Sequence, residues 1–177
     1  MELKRLYTSE KFDSLELKCR HLINQGKTNA DIVNFLALAY KNQGKLEKAI
    51  STFLKGISRF PKSELLLNNL ANIYKDRGEL SEAQKYLKKA TELKPNNSLL
   101  HESLGSVLLE RGELEGALKS LTKALYIDPS KSSLKYNIAN TYRKLGKLDE
   151  AISYFEDIDI GMSQSHLADC LYIGKYY

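Results

Sequence analysis

The chain of 177 residues has no tryptophan, only three prolines and two cysteines, and no long hydrophobic run. No apolar stretch approaches the roughly 20 residues that a membrane span needs, so we predict no membrane association. A composition of 42% hydrophobic and 28% charged residues excludes a disordered chain. Cys19 and Cys170 lie near opposite ends of the chain, so both are predicted to be reduced and buried. Because no hydrophobic stretch follows the charged residues at the N-terminus, we see no secretory signal and expect a cytoplasmic protein.

Motifs for catalysis and for cofactor binding are also missing. His21, His101 and His166 are scattered along the chain, and no CxxC or HxxxH pair accompanies them. No glycine-rich phosphate-binding loop occurs. We therefore predict no catalytic residue, no metal, no cofactor and no enzymatic activity.

The dominant feature is an internal repeat of 34 residues, which runs through most of the chain without a gap. Gly44, Gly78, Gly112 and Gly146 form one column at this step. Leucine, alanine and proline form further columns: Leu46, Leu80, Leu114 and Leu148; Ala49, Ala83, Ala117 and Ala151; Pro61, Pro95 and Pro129.

Each column has a physical reason. Apolar residues at three-and-four spacing before each glycine predict a helix, and the glycine ends it in the left-handed conformation. A second apolar stripe follows each glycine, and each proline stops that second helix. One such hairpin cannot bury its apolar face alone, whereas stacked hairpins can. The sequence therefore predicts an all-α fold, a right-handed superhelical solenoid of antiparallel helix pairs.

This spacing resembles the tetratricopeptide repeat family across residues 30–165. The stretch from Leu66 to Tyr74 is especially similar to repeats of the O-linked N-acetylglucosamine transferase array. Asn69 and Asn137 match the asparagine ladder of that array, although Phe35 and Ser103 interrupt it. The resemblance implies a protein-binding scaffold whose first helices line a concave groove. The lysine, arginine and asparagine set with which some members bind a C-terminal carboxylate is absent.

We divide the chain into six segments. They are a degenerate N-terminal hairpin or cap at 1–29, four repeats at 30–63, 64–97, 98–131 and 132–162, and a C-terminal helix at 163–177 that starts a further repeat. Leu167, Leu171 and Tyr172 of that helix would lack a covering partner. We therefore expect either that the natural protein continues past Tyr177 or that this end packs against another subunit.

Groove residues are predicted from the side of each first helix that points away from the packing stripe. The candidates are Asn34, Leu38 and Lys41; Asn68, Asn72 and Lys75; Leu99, Glu102 and Ser106; and Tyr136, Asn140 and Arg143. An amide both donates and accepts hydrogen bonds, so the asparagines suit an extended peptide backbone. The cations suit acidic side chains or a carboxylate of a protein or peptide ligand.

Charge and the C-terminus leave several alternatives open. The net charge is +5, and residues 1–63 carry 12 Lys/Arg against 6 Asp/Glu. This excess indicates either a solvated surface or a patch for an acidic partner. Nucleic-acid binding is not predicted, because Glu102 and Glu110 lie in the groove. The alternatives to a peptide-binding scaffold are the substrate-recruiting N-terminal region of a longer enzyme and homo-oligomerisation through the C-terminal helix.

Overall fold

A computed structural model describes residues 2–158, and every regular element in that range is an α-helix. The helices are α1 (Glu2–Thr8), α2 (Phe12–Asn24), α3 (Ala30–Asn42), α4 (Leu46–Arg59), α5 (Glu64–Asp76), α6 (Leu80–Leu93), α7 (Ser98–Glu110), α8 (Leu114–Ile127), α9 (Ser132–Lys144) and α10 (Leu148–Glu156). The predicted all-α class is confirmed. The predicted C-terminal helix at 163–177, with His166 and Cys170, lies outside the described residues.

The helices end at the predicted glycine and proline columns. Gly44 ends α3 with φ +74°, and the N–H of Lys45 donates to the carbonyl of Tyr40 at 2.8 Å. Gly78, Gly112 and Gly146 end α5, α7 and α9 with φ between +74° and +77°. Each second helix stops two residues before its proline: α4 before Pro61, α6 before Pro95 and α8 before Pro129.

The first turn of the chain repeats this helix end without glycine. Glu10 lies 34 residues before Gly44 and has φ +54°, the one described non-glycine residue with a positive φ. The N–H of Lys11 donates to the carbonyl of Leu6 at 3.0 Å, as Lys45 does to Tyr40. Residues 2–24 therefore form a hairpin of the same type, with a side chain in the position that favours glycine.

The structure divides into unit 1 (Met1–Leu93), which contains α1 to α6, and unit 2 (Lys94–Tyr177), which contains α7 to α10. In unit 1, Phe53 is fully buried in a core of residues from α3, α4 and α5. A second cluster joins α2 to α3 around Leu15 and Cys19. Cys19 is buried as predicted, and burial raises the pKa of its thiol to about 12.

The core of unit 2 lies between its two helix pairs. Leu121 and Ala124 of α8 pack on Leu134 and Ile138 of α9, and all four are fully buried. Close approach within the first pair depends on Gly105, because a Cβ there would lie 2.7 Å from Cγ of Leu121. Helix α10 ends at Glu156 after nine residues, whereas α4, α6 and α8 each have 14 residues.

Candidate functional site

The first helices of unit 1 form one continuous surface. Helix α3 contacts α1 on one side and α5 on the other, without an intervening second helix. We call the exposed side of α1, α3 and α5 the first-helix surface of unit 1. The predicted groove residues of this unit lie on α3 and α5, and two direct side-chain contacts join those helices.

An amide cluster lies between α3 and α5. Nδ2 of Asn69 donates to Oδ1 of Asn34 at 2.5 Å. Asn34 and Asn68 are only 5% and 8% exposed, so these two predicted groove residues are less accessible than the sequence suggested. Asn69 of α5 contacts Asn34 from the neighbouring hairpin, which the pattern of a single helix cannot show. Oδ1 of Asn68 is buried and has no hydrogen-bond partner within the described residues.

Partly exposed side chains flank this cluster. Asn72 and Lys75 lie on α5 and are half-buried. Nζ of Lys41 forms an ion pair of 2.8 Å with Asp76, so the charge of Lys41 is already balanced within the unit. The surface thus presents Asn72 and Lys75 of α5 beside the Lys41–Asp76 ion pair.

The predicted groove residues of unit 2 form hydrogen bonds, an ion pair and a ring contact within the unit. Nδ2 of Asn140 donates to the carbonyl of Tyr136 at 3.2 Å, and its Oδ1 accepts from Arg143 at 3.1 Å. Glu102 of α7 pairs with Lys131, which directly precedes α9. Tyr136 packs edge-on against Phe155, with ring centroids 6.0 Å apart. Arg143 is therefore oriented by Asn140, and Glu102 is a structural partner of Lys131 as well as a surface acid.

Sequence reasoning missed the partners Asn69, Asp76 and Lys131. Asn69 matched the transferase ladder but was not included among the groove residues, and the other two were not considered. The signal was present, because the pairs Asn34–Asn69 and Lys41–Asp76 are both separated by 35 residues. A separation of one repeat plus one residue therefore indicates a direct contact between successive first helices.

The histidines in the described part of the chain are hydrogen-bonded to nearby residues. His21 bonds to Gln25, and His101 bonds to the carbonyl of Pro95. In residues 2–158, no three His, Cys, Asp or Glu side chains are grouped closely enough to hold a metal ion. No helix within that range has the length and apolarity needed to cross a membrane.

Comparison with known proteins agrees with the repeat and the helix pairs. Three models of the tetratricopeptide repeat match residues 30–63, 68–132 and 108–160. No curated protein matches the sequence.

Solved structures show a similar fold at low sequence identity. A crystal structure of MamA has a TM-score of 0.78 and 20% identity, over 99% of this chain and 97% of that chain. PilF of Pseudomonas aeruginosa has a TM-score of 0.78 and 19% identity, over 87% and 70%. MamA of Desulfovibrio magneticus RS-1 has a TM-score of 0.77 and 14% identity, over 88% of each chain. The repeat matches over residues 30–63 and 68–160 show that the chain belongs to the tetratricopeptide repeat family.

Proposed function

We propose that this chain is a non-catalytic scaffold that binds an extended peptide or protein segment on the first-helix surface of unit 1. The observation that carries the proposal is the amide cluster on α3 and α5, with Asn72 partly exposed beside it. An amide side chain can donate to one peptide carbonyl and accept from one peptide N–H. Such contacts hold a backbone without requiring a particular sequence.

The buried amides support Asn72 rather than bind the ligand themselves. The Asn34–Asn69 hydrogen bond joins α3 to α5. A ligand-binding side chain loses less entropy on binding when its surroundings are already ordered. Asn72 therefore makes the direct contact in this proposal, and Asn34, Asn68 and Asn69 position it.

Charge favours an acidic ligand for this surface. Unit 1 contains 17 Lys/Arg and 11 Asp/Glu, a net charge of +6, and Lys75 lies one helical turn after Asn72. An ammonium group forms a charge-assisted hydrogen bond with a carboxylate more strongly than with a neutral acceptor. In unit 2, Tyr136, Asn140 and Arg143 form a second set of candidate contacts on α9. We infer a cytoplasmic location from the sequence features given above.

The test is peptide selection from a random display library on the complete chain, followed by affinity measurements with a selected peptide. Asn72→Ala with Lys75→Ala should weaken binding about tenfold or more, because one amide and one charge-assisted bond are lost. Lys88→Ala with Lys89→Ala is the matched control, since it removes two exposed lysines from the second helix of the same pair.

Circular dichroism must show equal helicity for the wild type and both variants. Equal affinity of the wild type and the Asn72/Lys75 variant would contradict the groove assignment. Equal weakening by the Lys88/Lys89 control would show that net charge, rather than this surface, drives binding.

A further inference from the structure

The turns between helices show how successive hairpins are joined in unit 1. Nε2 of Gln43, in the turn after α3, donates to Asp13 of α2 at 2.8 Å. Arg77 occupies the equivalent turn after α5 and pairs with Glu47 of α4 at 2.7 Å. Arg77 also pairs with Glu79 at 2.6 Å. A polar side chain of the turn therefore closes the junction with the preceding second helix at both places.

The corresponding junction of unit 2 is open. Leu145 occupies the position of Arg77, two repeats further along the chain, and Glu115 occupies that of Glu47. A cavity of about 330 Å³ lies here between α8 and the turn after α9, and we call it the α8–α9 pocket. Leucine cannot bridge to Glu115, so the polar closure of unit 1 is replaced by an apolar surface.

The pocket combines apolar and charged walls. Half-buried Leu118, Tyr142 and Leu145 supply the apolar part, and the Tyr142 ring is held by stacking on Tyr154 at 5.7 Å.

Exposed Glu115, Lys119 and Lys147 supply the charged part of the wall, and none of the three forms an ion pair among the described residues. In unit 1 the positions equivalent to Lys119 and Lys147 hold Ser51 and Glu79. Two cations against one carboxylate favour a negatively charged ligand at this pocket.

We propose that the α8–α9 pocket binds a partner protein through an apolar side chain that is flanked by acidic residues. The apolar side chain contacts Leu118, Tyr142 and Leu145, and the flanking carboxylates pair with Lys119 and Lys147. This site lies on the α8 side of unit 2 and is independent of the first-helix surface of unit 1. The charge of the rim favours an acidic protein segment, and the apolar wall adds a requirement for a leucine-like side chain.

The experiment uses the complete ¹⁵N-labelled chain and three acetylated, amidated tripeptides as probes. Asp-Leu-Asp has the proposed chemistry, Lys-Leu-Lys has the opposite charge, and Asp-Ala-Asp lacks the apolar side chain. Asp-Leu-Asp should shift the backbone amides of residues 115–122 and 142–147 in a saturable manner at millimolar concentration. Lys-Leu-Lys and Asp-Ala-Asp should each bind about tenfold more weakly, because each lacks one of the two contacts.

Two variants test the pocket itself. Leu145→Arg introduces the residue of position 77, which should pair with Glu115, close the pocket and abolish the shifts. Arg77→Leu is the reciprocal control, and binding at residues 115–122 and 142–147 should be unchanged. The double reversal Lys119→Glu with Lys147→Glu changes only exposed side chains, so it tests the proposal even if Leu145→Arg fails to fold. That reversal should make Lys-Leu-Lys the preferred probe.

Three results would overturn the proposal: absence of shifts with Asp-Leu-Asp, equal binding of all three peptides, or unchanged binding after closure by Leu145→Arg. Asn72→Ala, the variant of the proposed groove, should leave the shifts unaltered. Failure of this pocket and failure of the groove are therefore distinguishable.

Discussion

Units 1 and 2 are built from the same hairpin but differ in charge and in the way that hairpins are joined. Unit 1 has a net charge of +6, whereas unit 2, with 10 Lys/Arg against 11 Asp/Glu, has a net charge of −1. Side-chain contacts between successive hairpins of unit 1 include an amide pair and ion pairs of Lys41, Lys45 and Arg77. In unit 2, the described junction has the Lys131–Glu102 pair but an apolar turn at Leu145.

This difference shows which residues the repeat needs for helix packing and which residues can vary between repeats. Small residues, turn glycines and the apolar stripe recur in both units because they determine how closely helices approach. Exposed ion pairs contribute only about 0–1 kcal/mol each, so their loss in one junction is tolerated. The turn position of Gln43, Arg77 and Leu145 can therefore lose its polar contact without disrupting the fold.

The largest expected effects concern the glycines inside helices. A Cβ at Gly56 in unit 1 would lie 2.5 Å from Cγ1 of Val33 and 3.2 Å from Leu66. At Gly105 in unit 2 it would lie 2.7 Å and 2.8 Å from Cγ and Cδ2 of Leu121. Both alanine substitutions should lower the free energy of unfolding, by about 1–3 kcal/mol. Gly56→Ala should be the more severe, because a β-branched valine has fewer rotamers with which to move away.

The control for this comparison is Gly116 in the first turn of α8. A Cβ there would meet only the side chain of Leu108, at 3.5 Å and 3.9 Å, which is ordinary contact. Gly116→Ala should raise the free energy of unfolding by about 0.5–1 kcal/mol, because alanine loses less backbone entropy on folding. Urea unfolding followed at 222 nm measures all three variants. A stabilised Gly56→Ala or Gly105→Ala variant would show that the helix pairs can separate to accept a methyl group.

The turn that ends α1 gives a smaller effect of opposite sign. Glu10 adopts φ +54° where Gly44 and Gly112 adopt +74° and +77°. Because the left-handed region costs an L-residue roughly 1–2 kcal/mol, Glu10→Gly should stabilise unit 1 by about 1 kcal/mol after the entropy of glycine is subtracted.

Gly112→Ala in unit 2 should lower the free energy of unfolding by a similar amount, since a Cβ there meets no other atom within 4 Å and the cost is conformational. The midpoints of thermal unfolding of Glu10→Gly and Gly112→Ala, compared with the wild type, test these two expectations. An unchanged midpoint for Glu10→Gly would mean that this turn contributes little to the stability of unit 1.

Glu10 also shows how far the sequence determines the fold. The glycine and proline columns predicted the ends of α3 to α9, because each residue type carries its backbone preference with it. At position 10 the same turn occurs with glutamate, so the residue type did not predict it. The candidate site was predicted less completely. Asn34 and Asn68 were predicted to line an exposed groove, but both are buried. Asn34 contacts Asn69 of the neighbouring hairpin, which the pattern of one helix does not contain.

The smallest expected effect is a pH dependence that is specific to unit 1. Burial acts to raise the pKa of Glu16, but hydrogen bonds from Lys45, Gln43 and Arg20, together with the charge of Lys45, outweigh it and hold the pKa below the ordinary value of 4.5. Lys45 and Arg20 lie 3.2 Å and 3.4 Å from the carboxylate. A carboxyl group whose pKa is lowered by folding stabilises the folded state at any pH above its ordinary pKa. This contribution is lost as the pH falls through the pKa of the folded state.

Glu16→Gln should therefore lower the free energy of unfolding at pH 7 and leave it nearly unchanged in acid, where the wild-type carboxyl is also neutral. Glu47→Gln is the matched control, because the Glu47 side chain is 80% exposed and its pair with Arg77 is open to solvent. Unfolding midpoints between pH 2 and pH 7 measure both variants. Equal pH dependence of the wild type and Glu16→Gln would show that the Glu16–Lys45 contact between the first two hairpins contributes nothing to stability. The polar junctions of unit 1 would then differ from the apolar junction of unit 2 in surface chemistry alone.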